Sequence, residues 1–222
     1  MRDSLIQSIL KLRGPPNTWC CSKCTATLHT ASQAQEEDEL LGASVPGSVN
    51  GYALRCLDCS RFPVYCRQCI ISEHRLLPCH RIEIACPENF CEATTLSKQG
   101  YILRLHPGNE PCSGNKTEIK YIQNFVVVDS LSIHTFTVET CPCSGTSVVD
   151  QLISAGLFPA TFSNPKTAFT FDALDYYLLD NTVCHTTAYS FHEKLKHRTN
   201  PLVALSKQMP VSEIKPTSSI TY

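Results

Sequence analysis

Along this chain the spacing of apolar residues changes from one stretch to the next, and each change predicts a different element. Residues 1–18 open with a short amphipathic pattern broken by charges, then the stiff Gly14-Pro15-Pro16-Asn17, and read as a tail or linker. Residues 25–51 are polar, with four consecutive acids from Glu36 to Glu39, and read as a solvated insert on which His29 is a surface residue. Strands are expected at 52–55 and 81–85, with a short helix over 67–74 between them. A helical turn at 94–99 stops at Gly100, and 101–105 reads as a strand. The run Phe125-Val126-Val127-Val128 predicts a buried strand, and the alternating 133–140 its hairpin partner.

After residue 146 the pattern turns helical. Ser147 caps a helix over 147–155 that Gly156 ends. Residues 157–166 are extended, as their prolines require. Thr170 caps 171–180, with Phe171, Leu174 and Leu178 on one stripe; Thr187 caps 188–198, with Tyr189, His192 and Leu195 on one side. From Asn200 the pattern frays. Short strands followed by helices make this an α+β chain.

Cysteine changes the picture. There are 14 cysteines, and the densest stretch, 56–80, holds two C-x-x-C pairs, Cys56/Cys59 and Cys66/Cys69, followed by His74 and His80. A C-x-x-C turn aims two thiolates at one tetrahedral Zn²⁺. Six ligands are too many for one ion and two short for two, and Cys21/Cys24 upstream supply the missing pair. The expected pairing is interleaved: Cys21, Cys24, Cys66 and Cys69 on one zinc, Cys56, Cys59, His74 and His80 on the other. Interleaving closes each loop across the other where apolar residues are few. A linear arrangement, with Cys56, Cys59, Cys66 and Cys69 on one ion, stays open, as does substitution by Cys20 or Cys79. A third set, Cys112, His134, Cys141 and Cys143, has enough ligands for a further ion. Its C-x-C pair ends the strand that begins near His134, however, and strand alternation puts His134 and Cys141 on opposite faces unless a bulge intervenes.

Charge and targeting narrow the function classes. No signal peptide pattern and no apolar run of about 18 residues is seen, so no membrane role is expected and the thiols read as metal ligands rather than disulfides. The formal charge is −1, and nine ligand thiolates with three Zn²⁺ would make it about −4. That is not the footprint of a protein gripping DNA through bulk charge. Arg55, Arg61, Arg67, Arg75 and Arg81 are the candidate nucleic-acid contacts, although neutralising nearby thiolates explains them as well. Asp129, Asp150, Asp172, Asp175 and Glu193 sit on a hairpin or on helices, and no nucleophile elbow or phosphate-binding glycine loop is present, so neither an enzyme nor a small-molecule substrate is expected.

Several strings then resemble a known family. They are Tyr52-Ala53-Leu54-Arg55-Cys56-Leu57-Asp58-Cys59, Tyr65-Cys66-Arg67-Gln68-Cys69, Glu73-His74-Arg75, His80-Arg81-Ile82-Glu83, Val127-Val128-Asp129, Ile133-His134-Thr135, Cys141-Pro142-Cys143, Leu157-Phe158-Pro159-Ala160-Thr161 and 165–172. Over about residues 19–200 the chain resembles the CxC-type cysteine cluster associated with KDZ (Kyakuja–Dileera–Zisupton) transposases of mushroom-forming fungi. The resemblance implies a nuclear accessory module that helps target a transposase through DNA or through a protein or chromatin partner. It also implies that Cys141/Cys143 bind zinc with an upstream Cys and His, for which Cys112 and His134 are the matching positions. The first two sites resemble a B-box-like cross-brace. The expected layout is a tail (1–18), the double zinc module (19–85), a β-hairpin-rich zinc unit (86–145), a helical extension (146–200) and a disordered tail (201–222). The long acidic insert and the extra Cys79, Cys86, Cys91 and Cys184 depart from the family pattern.

Overall fold

In the computed structural model the described residues are 2–13, 19–28, 52–85, 90–114 and 118–199. Most of the acidic insert, with His29, and the segments 14–18, 86–89 and 200–222 lie outside them. The architecture is mixed α+β, with two sheets and helices after them.

The first sheet has the order β2-β1-β3-β4: β1 is Leu54–Cys56, β2 Val64–Tyr65, β3 Ile82–Ala85 and β4 Phe90–Thr94, all antiparallel. β3 and β4 pair across the boundary expected at 85/86. Helix α1, Arg2–Arg13, precedes this sheet and leaves Leu5, Ile6 and Ile9 exposed. Helix α2, Arg67–Glu73, starts where Cys66 caps it, Sγ accepting from Cys69 N at 3.4 Å.

The second sheet runs β5-β7-β6-β9-β8. Its members are β5 (Leu103–Arg104), β6 (Tyr121–Val128), β7 (Ile133–Glu139), β8 (Leu157–Pro159) and β9 (Thr167–Thr170). The β6–β7 hairpin is the expected one, extended by an earlier start and by a bulge at Gln123-Asn124, where Asn124 has φ 54°. β9 was not anticipated. It lies parallel to β6 and antiparallel to β8, so the Pro-containing stretch between β8 and β9 is the loop of a hairpin.

Helix α3 is Val148–Ser154, with Ser147 Oγ accepting from Asp150 N at 3.2 Å. Helix α4, Phe171–Cys184, is capped by Thr170 and runs four residues past its expected end. Helix α5 is Ala188–Thr199. The stripes expected on both long helices are largely exposed. Phe171 and Leu178 are exposed and Ala173 is the buried residue of α4; Tyr189 and His192 are exposed while Phe191 and Leu195 are buried. Phe191 and Leu195, spaced i and i+4, pack on Val128 and on the partly buried Val126, Ile133 and Phe169 of the sheet.

The main core joins the two sheets: Leu54, Cys56, Ile70 and Ile82 pack in one cluster with Leu103, Phe125, Phe136, Val138 and Leu152. A smaller cluster of Cys21, Leu28, Ala53, Val64, Cys66 and Ala85 lies beneath the first cysteine turn.

Candidate metal centres

Three Cys/His quartets form, in each of which the ligand atoms lie within 4.8 Å of one another. An ion bonded tetrahedrally at about 2.3 Å to sulfur and about 2.0 Å to nitrogen holds its ligand atoms about 3.3–3.8 Å apart. That edge length is the test each quartet has to meet.

The first quartet is Cys21, Cys24, Cys66 and Cys69. Residues 20–27 make a miniature hairpin. Cys21 N donates to Ala26 O at 2.9 Å, Thr25 N returns to Cys21 O at 3.0 Å, and Thr25 turns the chain at φ 58°. Ser22 N bonds Val64 O, fastening this hairpin to the strand that leads into Cys66. Cys24 and Cys66 sulfurs are 3.9 Å apart. Burial pushes the Cys21 thiol up, but the N–H groups of Cys24, Cys66 and Lys23 outweigh it and bring it down to about 6. A thiol turned into a thiolate by backbone donors is prepared to hold a cation.

The second quartet is Cys56, Cys59, His74 and His80. Cys56 Sγ is 3.4 Å from His80 Nδ1, and Cys59 Sγ is 3.4 Å from His74 Nε2 and 3.5 Å from His80 Nδ1. His74 Nδ1 donates to Ile70 O at 2.9 Å, which settles its tautomer and leaves the Nε2 lone pair facing the thiols. Burial keeps His74 below the ordinary imidazole range despite that carbonyl, so it is neutral, as a ligand must be. Asp58, between the two cysteines, takes Arg81 N at 2.7 Å and Arg81 Nη2 at 2.6 Å, locking the C-x-x-C turn to the residue after His80. Thus α2 starts in the first quartet and ends at His74 in the second. The pairing is interleaved rather than linear, and Cys20 and Cys79 stand outside it.

The third quartet is His106, Cys112, Cys141 and Cys143. His106 Nδ1 is 3.2 Å from Cys141 Sγ and 3.4 Å from Cys143 Sγ; Cys112 Sγ is 3.5 Å from each cysteine of the C-x-C pair. Cys141 and Cys143, at 2.7 Å, are closer than a shared ion would hold them. Buried Gln151 clamps the Cys141 backbone in both directions, Oε1 accepting from Cys141 N at 2.8 Å and Nε2 donating to Cys141 O at 2.9 Å. Gly114 approaches so closely that a Cβ there would meet Cys112 Sγ at 3.3 Å.

His134, the histidine expected in this quartet, is not a member. A strand advances about 3.3 Å per residue, so five steps of β7 put His134 roughly 16 Å before Glu139 and farther still from Cys141. Its buried ring instead sits 2.6 Å from Ser132 Oγ, stacked on Phe136. His106 takes its place through a long-range pairing. β5 lies parallel to the end of β7, Leu103 opposite Val138 and Arg104 opposite Glu139, so His106 and Cys141 leave the same end of the sheet. The H-x5-C spacing of His106 and Cys112 was the available sequence signal.

Of the five arginines, Arg61, Arg67 and Arg75 are exposed. Arg55 is buried and pairs with Glu83 at 2.8 Å. Arg81 pairs with Asp58, Arg75 with Glu110, and Arg67 Nε donates to Gln99 O at 2.8 Å. Arg61 is exposed at φ 67° and has no ion pair among the described residues.

An α+β frame whose turns converge into Cys/His quartets defines a protein class, the cysteine cluster able to hold metal ions. Within it, residues 96–202, just under half of the chain, match the family described as CxC2 like cysteine cluster associated with KDZ transposases. The third quartet falls inside the match, and the first two lie before it. No curated protein and no solved structure matches the chain. Among the described residues no helix is long and apolar enough to cross a membrane.

Proposed function

We propose that the chain is a zinc-binding recognition module of a KDZ transposase-derived protein, acting in the nucleus through a protein or chromatin partner. The three quartets carry the reading. Their donor sets are four sulfurs, two sulfurs with two nitrogens, and three sulfurs with one nitrogen. These sulfur and nitrogen donors suit Zn²⁺ better than hard cations that want oxygen. Each offers four protein ligands, the number at which a zinc site is closed and structural, which favours recognition over catalysis. The first two, sharing α2, make a B-box-like cross-brace.

Two observations favour a protein partner over duplex DNA. Arg55, Arg75 and Arg81 already answer to carboxylates, which leaves little surplus charge for phosphates. Helix α4 also presents Phe171, Leu178, Leu179 and Val183 to solvent, a surface suited to apolar contact. Two measurements test the reading. Metal analysis of purified chain is expected to give three zinc per chain. Binding to random duplex DNA, titrated with salt, is expected to be absent even at low salt; a tight complex whose affinity falls steeply with salt would shift the assignment to DNA.

A further inference from the structure

The second and third centres are tied through one short turn. Residues 75–79 separate His74 from His80, so the course of that turn sets how the two imidazoles of the second quartet meet. Two groups from the unit that carries the third quartet hold it. Near its start, Asn109 Nδ2 donates to Arg75 O at 3.0 Å and Tyr101 Oη donates to the same carbonyl at 2.8 Å, the two side chains also bonding each other at 2.9 Å. Near its end, Ser132 Oγ donates to Cys79 O at 3.3 Å, with His134 behind it.

Asn109 is the residue that faces both ways. It lies midway between the third-quartet ligands His106 and Cys112. Its N–H closes a tight turn on His106 O at 2.9 Å, and its Oδ1 accepts from Arg104 N at the end of β5. The residue is buried and sits at φ 55°, a left-handed backbone that asparagine tolerates better than most side chains. An ion gathering His106 and Cys112 therefore orders the loop that presents the Asn109 amide to the Arg75 carbonyl.

We propose that Asn109 couples the two centres: filling the His106 quartet raises the affinity of the Cys56 quartet for its own ion, by presetting the turn between His74 and His80. The proposal rests on the metal reading above. Coupling of this kind is reciprocal, and one ordered turn is worth on the order of a tenfold change in affinity.

The test uses the full chain, zinc with a competing chelator, and the His74 and His80 ring resonances by NMR as the readout of second-centre occupancy. Cys143→Ser, which removes an exposed third-centre ligand, is expected to weaken second-centre zinc binding by about tenfold. Asn109→Gly keeps the left-handed backbone but removes the amide. It is expected to weaken second-centre binding similarly while every ligand remains, and the double variant is expected to lose no more than either single one. Amide spectra of the five-stranded sheet report that each variant is folded; if Asn109→Gly fails that check, Tyr101→Phe, which removes one hydroxyl from the same node, is read in its place by the same criteria. Unchanged second-centre affinity in Cys143→Ser, or effects that simply add in the double variant, would overturn the coupling. If zinc moves none of the His74, His80 or His106 resonances in the unmodified chain, the metal reading itself falls, and with it the coupling.

Discussion

Two histidines compete for the third centre, and substituting each separates ligand from scaffold. His106 Nδ1 stands 3.2–3.4 Å from the sulfurs of Cys141 and Cys143, whereas His134 is spent on Ser132 and Phe136. A structural zinc contributes an apparent ~10–16 kcal/mol through four ligands, so an even share is ~2.5–4 kcal/mol per ligand, or roughly 70–1,000-fold in affinity. His106→Ala should therefore strip the third ion at chelator concentrations that leave the other two bound, and metal analysis should fall from three zinc per chain to two. His134→Ala should keep three. Its cost is a cavity at a fully buried ring and a Ser132 hydroxyl left without its imidazole, together about 2–4 kcal/mol, read as a lower midpoint in urea. Loss of zinc with His134→Ala in a chain that still folds, with no loss for His106→Ala, would refute the geometric argument and restore the ligand set expected from spacing.

The remaining predictions concern pH and the surface. Burial pushes the Cys56 thiol up to about 12, so an ion taken up there must displace its proton; zinc affinity of the second centre is expected to fall as pH falls from 8 to 6, and a pH-independent affinity would contradict it. Tyr101 is held above the ordinary phenol range by burial first and then by the nearby Cys79. A group raised in this way stabilises the fold below its unfolded value of about 10 and loses that contribution as pH rises beyond it. An absorbance titration should find one tyrosine that ionises only as the chain unfolds; all eight titrating together in a folded chain would exclude this. Lys23 and Glu73 pair at 2.6 Å but are both close to half exposed, so Lys23→Ala should change stability by less than about 1 kcal/mol and leave the zinc count at three.

What could be read from residue order was local. C-x-x-C spacing marked both pairs at 56–69, caps at Ser147, Thr170 and Thr187 located the late helices, and the Val-rich run with its alternating partner marked the central hairpin. The failures share one cause, which is partnership across the sequence. His106 becomes a ligand because β5 runs parallel to β7, and nothing within residues 101–112 announces that neighbour. β9 is four residues long and exists because β6 and β8 lie on either side of it. Which residues α4 and α5 bury depends on the same kind of partnership. Both helices carry apolar residues on more than one stripe, and the sheet surface they meet decides which is buried, Phe191 and Leu195 rather than Tyr189 and His192. The interleaved pairing of the first two quartets was legible because ligand counting left few ways to satisfy every cysteine.

The placement of the quartets also explains how a first sheet of such short strands can hold a shape. β1 has three residues and β2 two, and a sheet this small buries too little to stand by itself. Around it several described turns end in ligands: the 20–27 hairpin in Cys21 and Cys24, the turn after β1 in Cys56 and Cys59, the helix α2 in His74, and the loop before β3 in His80. Metal coordination there would replace the apolar area that the strands lack, and Asp58 with Arg81 ties the C-x-x-C turn to the residue after His80. The five-stranded sheet is the opposite case, with Phe125, Phe136, Val138 and Leu152 filling its core and a single quartet pinning the end where β5 and β7 leave it. Removing metal should then divide the molecule unequally: the first sheet loses its order, while the β6–β7 hairpin and the helices packed on it keep theirs. Hydrogen exchange with and without chelator reads this directly, and equal loss of protection in Leu54–Cys56 and Tyr121–Val128 would show that one core, rather than the ions, holds both.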